Sequence, residues 1–384
     1  MDYTERHKEL SLFFKQMGDE GVLPSTGIRV LKVKFHSQEA VRFQTEAEVP
    51  VDLKGFFNAD GMKRVNENFT YYIFMPPAET KNKGAIILLH GLNERNWEKY
   101  LTWGERLATD TGRAVVLFPI AYHMNRSPLS WVDRHLMMPA VASRLLKDPS
   151  IRMASFANVA LSTRLSLLPQ RFFLSGYQAV NDMLTLISQI KKGNHPYIES
   201  NGRVDIFAYS IGVMISQVIL LSGEGGLPSD SRLFFFCGGS ALNQMDGTSK
   251  LIMDSRAFER LLSYYIDEVD APSGAEDKKF FDIIHNTPVG LAYYGMSSKN
   301  RYGSCFNNTF RQECDRIKLI TLEKDRVIPP AAISELMEGT DLEIWKPQYD
   351  YIHENPFPVN SIGNASKIDE TFDRLFTSAA RFLA

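Results

Sequence analysis

The segment 204–215 constrains the fold of this chain more than any other part of the sequence. An apolar strand pattern runs through it into an apolar helix pattern, by way of Ala208, Ser210 and Gly212. The residues two positions before and two positions after the serine must be small, because larger side chains would collide with the strand and the helix. Ser210 is therefore predicted to lie on a sharp turn above the sheet, at a helix N-terminus whose dipole favours negative charge.

Strand and helix patterns alternate from about residue 70 to the C-terminus. Such alternation predicts a mostly parallel sheet that is flanked by helices. The predicted strands of this sheet are 71–75, 85–89, 114–118, 204–207, 233–237, 317–322 and 342–345. Helices are predicted over 97–107, where Gly112 is the end signal, over 177–190, after Ser210, from 330 to 337, and over 372–382 at the C-terminus.

Two of the connections are much longer than a single crossover helix requires. They contain predicted insertions at about 121–175 and 245–312, and both leave strand ends on the side where the serine emerges. Ligands bind at the carboxyl ends of strands in open α/β sheets, so the two insertions are predicted to form a lid. Residues 1–69 are predicted to be an N-terminal extension that packs on the sheet of the main domain, 70–384. Its candidate strands at 28–33 and 41–43 either extend the sheet or pack on its edge.

A nucleophilic serine needs a base and a group that orients the base. Asp325 follows the predicted strand 317–322 and precedes an apolar residue and two prolines, and His353 follows the last predicted strand. The chain order Ser210, Asp325, His353 is one of the known orders of the serine triad. These three residues are the candidate catalytic residues.

Other residues compete for the same roles. Adjacent strand positions point to opposite faces, but the direction of a residue beyond a strand end depends on the turn, which leaves the choice of carboxylate open. The competing carboxylates are Glu323 and, less favoured, Asp246; the competing histidines are His123, His135 and His285. The histidines rank lower because they lie in the predicted insertions.

The loop after the predicted strand 85–89 is the candidate oxyanion loop. A glycine at position 91 lets the backbone bend so that the next amide points at the site. The backbone N–H groups of Leu92 and Ile211 are the predicted oxyanion-hole donors, and such donors each stabilise a transition state by about 3–4 kcal/mol. His90 and Gly91 are predicted to support the shape of the loop.

Taken together, these motifs resemble those of the α/β-hydrolase superfamily over roughly residues 70–384. The resemblance rests on 89–91, on 208–212, on 325–329 and on His353. Ala208 departs from the glycine that is commonest at its position. The resemblance implies an α/β class protein with an α/β-hydrolase fold, in which a mostly parallel central sheet is flanked by helices.

The resemblance and the triad together predict a serine hydrolase that cleaves a carboxylic ester through an acyl-enzyme intermediate. A peptidase, a thioesterase and an acyltransferase use the same residues, and a non-catalytic binding scaffold uses the same fold, so these alternatives stay open. The expected partner is a small-molecule ester-type substrate. Carboxylate or phosphate recognition by Arg126, Arg134 or Arg144 is less favoured than a role on the solvated surface.

Composition limits the other functional classes. The 384 residues carry a formal net charge of −2, which gives no reason to expect nucleic acid as a partner. Apolar runs are of strand length, so no membrane span is predicted. Three scattered cysteines and a charged N-terminus suit a cytoplasmic protein. No phosphate-binding or dinucleotide-binding motif occurs in the sequence, so no cofactor is expected. His123, Asp133 and His135 are of types that bind metals, but their spacing matches no known metal-site pattern, so no metal is expected. The oligomeric state is left open.

Overall fold

A computed structural model describes residues 2–38, 64–77, 81–223, 227–271, 275–306, 308–359, 361 and 363–384. The candidate strand at 41–43 lies outside these residues. The candidate strand at 28–33 is part of a longer strand, Arg29–His36.

Within the described ranges, nine strands form one sheet. They are β1 (Glu20–Val22), β2 (Arg29–His36), β3 (Asn68–Met75), β4 (Asn82–Leu89), β5 (Ala114–Leu117), β6 (Ile198–Tyr209), β7 (Leu233–Phe236), β8 (Ile317–Leu322) and β9 (Asp341–Trp345). Their order across the sheet is β1-β2-β3-β5-β4-β6-β7-β8-β9. The pairs from β5 to β9 are parallel, and the pairs β1–β2, β2–β3 and β3–β5 are antiparallel.

The parallel part of the sheet forms the centre of the protein. Strands β5 and β7 are buried along their whole length, as parallel strands covered on both faces must be, and their sequences are accordingly almost uninterrupted apolar runs. The central strand β6 ends at Tyr209, so its carboxyl end delivers Ser210 at the middle of the sheet edge.

Helices cover both faces of this sheet. They are α1 (Tyr3–Gln16), α2 (Glu98–Thr111), α3 (Arg134–Lys147), α4 (Val159–Leu167), α5 (Gln170–Lys191), α6 (Ile211–Ser222), α7 (Ser255–Ser263), α8 (Ala275–Asn286), α9 (Pro288–Ser297), α10 (Lys299–Phe306), α11 (Thr309–Gln312), α12 (Pro330–Leu336) and α13 (Ala365–Leu383). Helices α5 and α6 contribute Ile187 and Val213 to the core on one face. Helices α2 and α13 contribute Trp103 and Phe372 to the core on the other face.

The N-terminal segment is joined to this sheet through residues 2–38. Strand β2 pairs with β3 along all eight of its residues, and β1 adds the edge strand. Helix α1 packs on α2, where the Arg6 Nε donates to the Glu105 carboxylate at 2.8 Å and both side chains are buried. Burying this pair in one geometry fixes the orientation of α1 on the domain, because an unpaired charge there would be costly.

The α/β-hydrolase fold predicted from the sequence is confirmed by this topology. A mostly parallel sheet is flanked by helices, and the serine turn joins a central strand to a helix. The two long connections contain helices α3 and α4 after β5, and helices α7 to α11 after β7.

Candidate active site

Ser210 occupies a backbone conformation that few residues adopt. Its φ is 57° and its ψ is −122°, between the end of β6 and the start of α6. A Cβ at Gly212 would lie 2.8 Å from the Leu89 Cβ and 3.0 Å from the His90 carbonyl oxygen. Only glycine fits at 212, because the elbow packs directly against the end of β4. This contact gives the small-residue pattern of the sequence its physical reason.

Ser210, His353 and Asp325 form one hydrogen-bonded chain. The Ser210 Oγ lies 2.6 Å from the His353 Nε2, and the His353 Nδ1 lies 2.7 Å from the Asp325 Oδ2. The other carboxylate oxygen of Asp325 accepts the backbone N–H groups of Val327 and Ile328, each at 3.0 Å. A carboxylate accepts at Nδ1, so the imidazole carries its proton there and its Nε2 is the acceptor for the serine hydroxyl.

The competing carboxylates lie elsewhere. Glu323 pairs with Lys346 at 2.8 Å, and both side chains are exposed. Asp246 accepts the backbone N–H of Thr248 at 2.9 Å. Of the three carboxylates considered, Asp325 is the one that the structure brings to the histidine.

The competing histidines lie away from the serine hydroxyl. His135 is exposed at the start of α3, and His285 lies beside Asp270. The Nδ1 of His123 bonds to the Ala121 carbonyl at 2.9 Å.

The candidate oxyanion donors lie at the same pocket as the serine. Leu92, Ser210 and Ile211 all line it. In the described part of the chain, neither the Leu92 N–H nor the Ile211 N–H donates to a protein acceptor. Ile211 is the first residue of α6, and the N–H groups of a first turn have no intrahelical partner. Both donors are therefore available to a ligand.

His90 and Gly91 fix the shape of the candidate oxyanion loop. The Ile120 N–H donates to the His90 Nε2 at 3.0 Å, so the Nδ1 carries the proton and donates to the Gly91 carbonyl at 2.8 Å. Burial lowers the pKa of His90 well below its usual value, and the ring is therefore neutral. A Cβ at Gly91 would lie 3.1 Å from the Tyr209 ring.

A polar network that the sequence did not reveal links the oxyanion loop to the histidine loop. We call Glu94, Lys99, Tyr100 and Tyr209 the loop-bridging network. The Tyr100 hydroxyl accepts the N–H of residue 91 at 2.9 Å and donates to the Glu94 carboxylate at 3.0 Å. Lys99 pairs with Glu94 and also donates to the carbonyl of residue 354 at 3.0 Å. Both loops are thereby held to α2.

Tyr209 makes the direct contact with the histidine. Its hydroxyl donates to the His353 carbonyl, and its ring stacks on the imidazole with centroids 5.6 Å apart and planes inclined by 19°. The Lys99 ammonium group lies over the Tyr209 ring, 4.6 Å from the ring centroid. Burial raises the pKa of Tyr209 well above its usual value, so the hydroxyl stays a donor.

If the protein has the esterase activity that the sequence predicts, Tyr209→Phe is expected to lower its kcat by about three- to tenfold with little change in KM. The variant removes one hydrogen bond to the His353 carbonyl, and a neutral hydrogen bond contributes about 0.5–1.5 kcal/mol. Steady-state kinetics measure the effect. The control is Tyr71→Phe, which removes a buried hydroxyl bonded to His195 at 2.9 Å on another part of the sheet. An equal loss of kcat in both variants would contradict a positioning role for Tyr209.

An apolar pocket opens beside Ser210. Its lining combines the candidate oxyanion residues, the turn after Asp325 and both insertions. The side chains from the insertions and their flanks are Phe172, Leu242, Met245, Ile252, Met253, Phe258 and Leu261. Met137 belongs to a separate apolar cluster within the first insertion, and Met138 is 45% exposed.

Specific polar contacts hold the two insertions together and to the oxyanion loop. The Asn93 Nδ2 donates to the carbonyls of Ala157 at 2.9 Å and Leu251 at 2.7 Å, one in each insertion. Arg144 of the first insertion binds the buried carboxylate of Asp254 in the second, with contacts of 2.5 and 2.9 Å. The insertions therefore meet over the carboxyl end of the sheet.

The other arginines considered from the sequence have protein partners. Arg126 is fully buried and donates to Asp182 at 2.7 Å. Arg134 is exposed, with its guanidinium 5.5 Å from the centroid of the Phe156 ring. Arg126 is therefore structural and not on the solvated surface that the sequence favoured.

Acidification is expected to destabilise the protein through His90 and His123. Burial lowers the pKa of both, that of His123 to about 3, so both stay neutral in the folded state at pH 5. The unfolded chain binds these protons below a pKa of about 6.5, so stability falls as pH falls through that value, and His123 alone contributes a loss of about 2 kcal/mol at pH 5. Urea unfolding at pH 7.5 and pH 5 measures the loss.

A matched pair of variants isolates this effect from other acid-sensitive groups. His123→Asn removes the titrating ring and is expected to reduce the pH dependence of the unfolding free energy. His135→Asn, at an exposed position, is expected to leave it unchanged. Identical pH dependence in the two variants would contradict the prediction.

The described ranges contain no group of three or more His, Cys, Asp or Glu side chains that could hold a metal ion. They also contain no helix with the length and apolar character that crossing a membrane requires.

Comparison with known proteins places the chain in a family. A family model described as a family of unknown function, DUF6051, matches residues 1–384. The chain belongs to DUF6051. No curated protein matches this DUF6051 chain.

Solved structures that resemble the DUF6051 chain share little sequence with it. A thermostable esterase from Pseudomonas putida ECU1011 is 10% identical, with 99% of this chain and 90% of that chain covered and a TM-score of 0.48. A Pyrobaculum calidifontis esterase is 12% identical, with coverages of 98% and 92% and a TM-score of 0.44. The acylaminoacyl peptidase of Pyrococcus horikoshii is 11% identical, with coverages of 96% and 42% and a TM-score of 0.39.

Proposed function

We propose that this protein is a serine hydrolase that cleaves carboxylic esters through an acyl-enzyme intermediate. The observation that carries the proposal is the hydrogen-bonded chain from the Ser210 Oγ through His353 to Asp325. All three residues are at least 95% buried, so their hydrogen bonds are shielded from bulk water and are stronger for it.

Each of the three hydrogen-bonded residues has a defined role in the proposed reaction. His353 accepts the proton of Ser210 at Nε2 while the serine oxygen attacks the ester carbonyl. The backbone N–H groups of Leu92 and Ile211 stabilise the oxyanion. His353 then gives the proton to the leaving alcohol, and water repeats these steps on the acyl-enzyme. Asp325 holds the imidazole in the required tautomer and stabilises the imidazolium.

We further propose that the two insertions form a lid over the acyl-enzyme. Both contribute apolar side chains to the pocket that contains Ser210, and Asn93 and Arg144 hold them in place. Excluding water from such a pocket strengthens the electrostatic stabilisation inside it and limits side reactions.

Met253→Ala is expected to shift substrate preference towards longer acyl chains. The side chain is 1% exposed and lines the pocket, so its removal enlarges the space near Ser210. The ratio of kcat/KM for hexanoate over acetate esters is expected to rise about tenfold, which is within the range for one or two methylene groups. Met138→Ala, at a 45% exposed position, is the control. An unchanged ratio in Met253→Ala would contradict the assignment of this pocket to the acyl chain.

The test of the proposed function is covalent labelling of the native protein with a fluorophosphonate probe. Peptide mapping by mass spectrometry is expected to find the label on Ser210, and Ser210→Ala is expected to remove it. The control Ser222→Ala alters a serine at the far end of α6, whose hydroxyl donates to Ile219 at 3.0 Å. Labelling at another serine, or no labelling, would reject the proposal.

The fluorophosphonate probe distinguishes a catalytic protein from a non-catalytic binding scaffold. Comparison of substrates then distinguishes the possible catalytic activities from one another. A panel that contains an ester, a thioester and an anilide with the same acyl group is expected to give the highest kcat/KM for the ester. A higher value for the thioester or the anilide would assign the same residues to a thioesterase or a peptidase. Transfer of the acyl group to an added alcohol in preference to water would indicate an acyltransferase.

A further inference from the structure

A second pocket, which we call the side pocket, adjoins the candidate oxyanion residues. It shares Leu92, Phe172 and Ile211 with the apolar pocket beside Ser210. Most of its lining is apolar, and its polar side chains are those of His123, Ser175 and Tyr293. The Ser175 hydroxyl donates to the Phe172 carbonyl at 2.9 Å. His123 and Tyr293 each have one atom without a hydrogen-bond partner in the described part of the molecule.

The unpartnered atom of His123 is a hydrogen-bond acceptor. The Nδ1 of the ring bonds to the carbonyl of Ala121 at 2.9 Å, so it carries the proton and donates. The Nε2 then holds a lone pair, and this atom is buried. Burial lowers the pKa of His123 to about 3, and the nearby charge of Arg95 adds to the effect, so the acceptor persists at neutral pH.

The unpartnered atom of Tyr293 is a hydroxyl that a glycine accommodates. A Cβ at Gly176 would lie 1.9 Å from the Tyr293 hydroxyl oxygen, so no other residue at 176 leaves room for this hydroxyl. Gly176 also lines the side pocket. The tyrosine is 5% exposed, and burial raises its pKa, so the hydroxyl keeps its proton and can donate.

Each buried polar atom without a hydrogen-bond partner lowers the free energy of unfolding by about 1–3 kcal/mol relative to an atom that has one. A ligand that both donates to the His123 Nε2 and accepts from the Tyr293 hydroxyl removes both costs. A carboxylate, an ether or an ester oxygen cannot donate, and an ammonium group cannot accept. A hydroxyl group does both and is small enough for a pocket whose lining is mostly apolar.

We propose that the side pocket binds a hydroxyl group of the substrate, which makes the preferred substrates esters of hydroxy acids or of polyols. This inference rests on the proposed ester hydrolysis and names its substrate class. The pocket shares Leu92 and Ile211 with the site of attack, so the hydroxyl lies close to the scissile ester. Recognition of a substrate hydroxyl by buried polar groups discriminates strongly against analogues that lack it.

The experiment compares paired esters that differ by one hydroxyl. The pairs are methyl lactate with methyl propanoate, methyl 3-hydroxybutanoate with methyl butanoate, and 2-hydroxyethyl butanoate with ethyl butanoate, followed by titration of the released acid. In the native protein, kcat/KM is expected to favour the hydroxylated member of at least one pair by about 10- to 100-fold. The first two pairs test the acyl side and the third tests the alcohol side.

Two variants connect the preference to the side pocket. Tyr293→Phe removes only the hydroxyl, and His123→Asn removes the Nε2 acceptor while its amide can still donate to Ala121. Both are expected to reduce the ratio at least fivefold. The ratio is insensitive to a loss of folded protein, which lowers both rates equally. Tyr294→Phe, whose hydroxyl faces Asp270 at 3.2 Å on the outer side of the same helix, is expected to keep the native ratio.

The outcomes distinguish this inference from the proposed function. Equal rates within every pair, with Ser210 labelled by the fluorophosphonate, would overturn the side-pocket proposal alone and would indicate that water satisfies the two atoms. A preference that survives in both Tyr293→Phe and His123→Asn would overturn it too. Absence of both ester cleavage and labelling would overturn the proposed function and this inference with it.

Discussion

Ser210→Ala and His353→Ala are each expected to lower kcat for ester hydrolysis about 10⁶-fold, and the double variant is expected to lose no more. The reason is the single 2.6 Å hydrogen bond between the Ser210 Oγ and the His353 Nε2. Without the hydroxyl there is no nucleophile, and without the imidazole nothing takes its proton. The two residues act as one unit, so removal of the second causes no further loss of kcat.

The measurement is single-turnover kinetics with an aryl ester at high enzyme concentration. Alanine at 210 is expected to keep the fold, because it is no larger than serine and the backbone conformation is held by β6 and α6 on either side. Melting temperatures and circular dichroism serve as the control. Losses that multiply in the double variant would contradict a shared role, and a residual rate in Ser210→Ala within tenfold of native would remove Ser210 from the mechanism.

Most of the central strands that were predicted from the sequence are buried on both faces. Strand β8, for example, begins and ends at the predicted bounds, 317–322. Strand β6 begins at Ile198 and not at the predicted Val204. Residues 199–201, which follow the buried Ile198, are polar and at least partly exposed, so no apolar pattern in the sequence marks the early part of this strand. Its early part pairs with Asn82 of β4, a contact that local sequence does not encode.

The proximity of the three candidate catalytic residues was predictable for a similar reason. Each follows the carboxyl end of a parallel strand, and such ends meet at one edge of the sheet. The choice between Asp325 and Glu323 was not predictable, because turns beyond a strand end are shaped by distant contacts. Here Asp325 is oriented by the N–H groups of Val327 and Ile328, and Glu323 faces Lys346 at the surface.

The features that the sequence did not reveal depend on long-range packing. The Tyr209 hydroxyl meets the carbonyl of a residue 144 positions away, and Gly176 meets Tyr293 from a different helix. Neither contact follows from a motif, a periodicity or a local spacing. The loop-bridging network and the side pocket are consequences of how α2 and the insertions pack around an elbow that the sequence did predict.

Asp325→Asn is expected to lower kcat about 10⁴-fold without altering the fold, by changing which imidazole nitrogen carries the proton. The N–H groups of Val327 and Ile328 donate to one carboxylate oxygen of Asp325 at 3.0 Å, so an asparagine places its amide oxygen there and its NH₂ group towards His353. The Nδ1 must then accept, and the proton moves to Nε2. Nε2 faces the Ser210 hydroxyl at 2.6 Å and could no longer take its proton.

Glu323→Gln is the matched control for Asp325→Asn, because it makes the same chemical change two residues earlier in the same turn. Its carboxylate pairs with Lys346, both side chains are exposed, and such surface pairs contribute little. We expect kcat in Glu323→Gln to stay within about twofold of the native value, since a surface pair contributes well under 1 kcal/mol. Steady-state kinetics of both variants, with melting temperatures to show that each is folded, decide between the two carboxylates. A larger loss of kcat in Glu323→Gln than in Asp325→Asn would transfer the orienting role to Glu323, despite the 2.7 Å contact between Asp325 and His353.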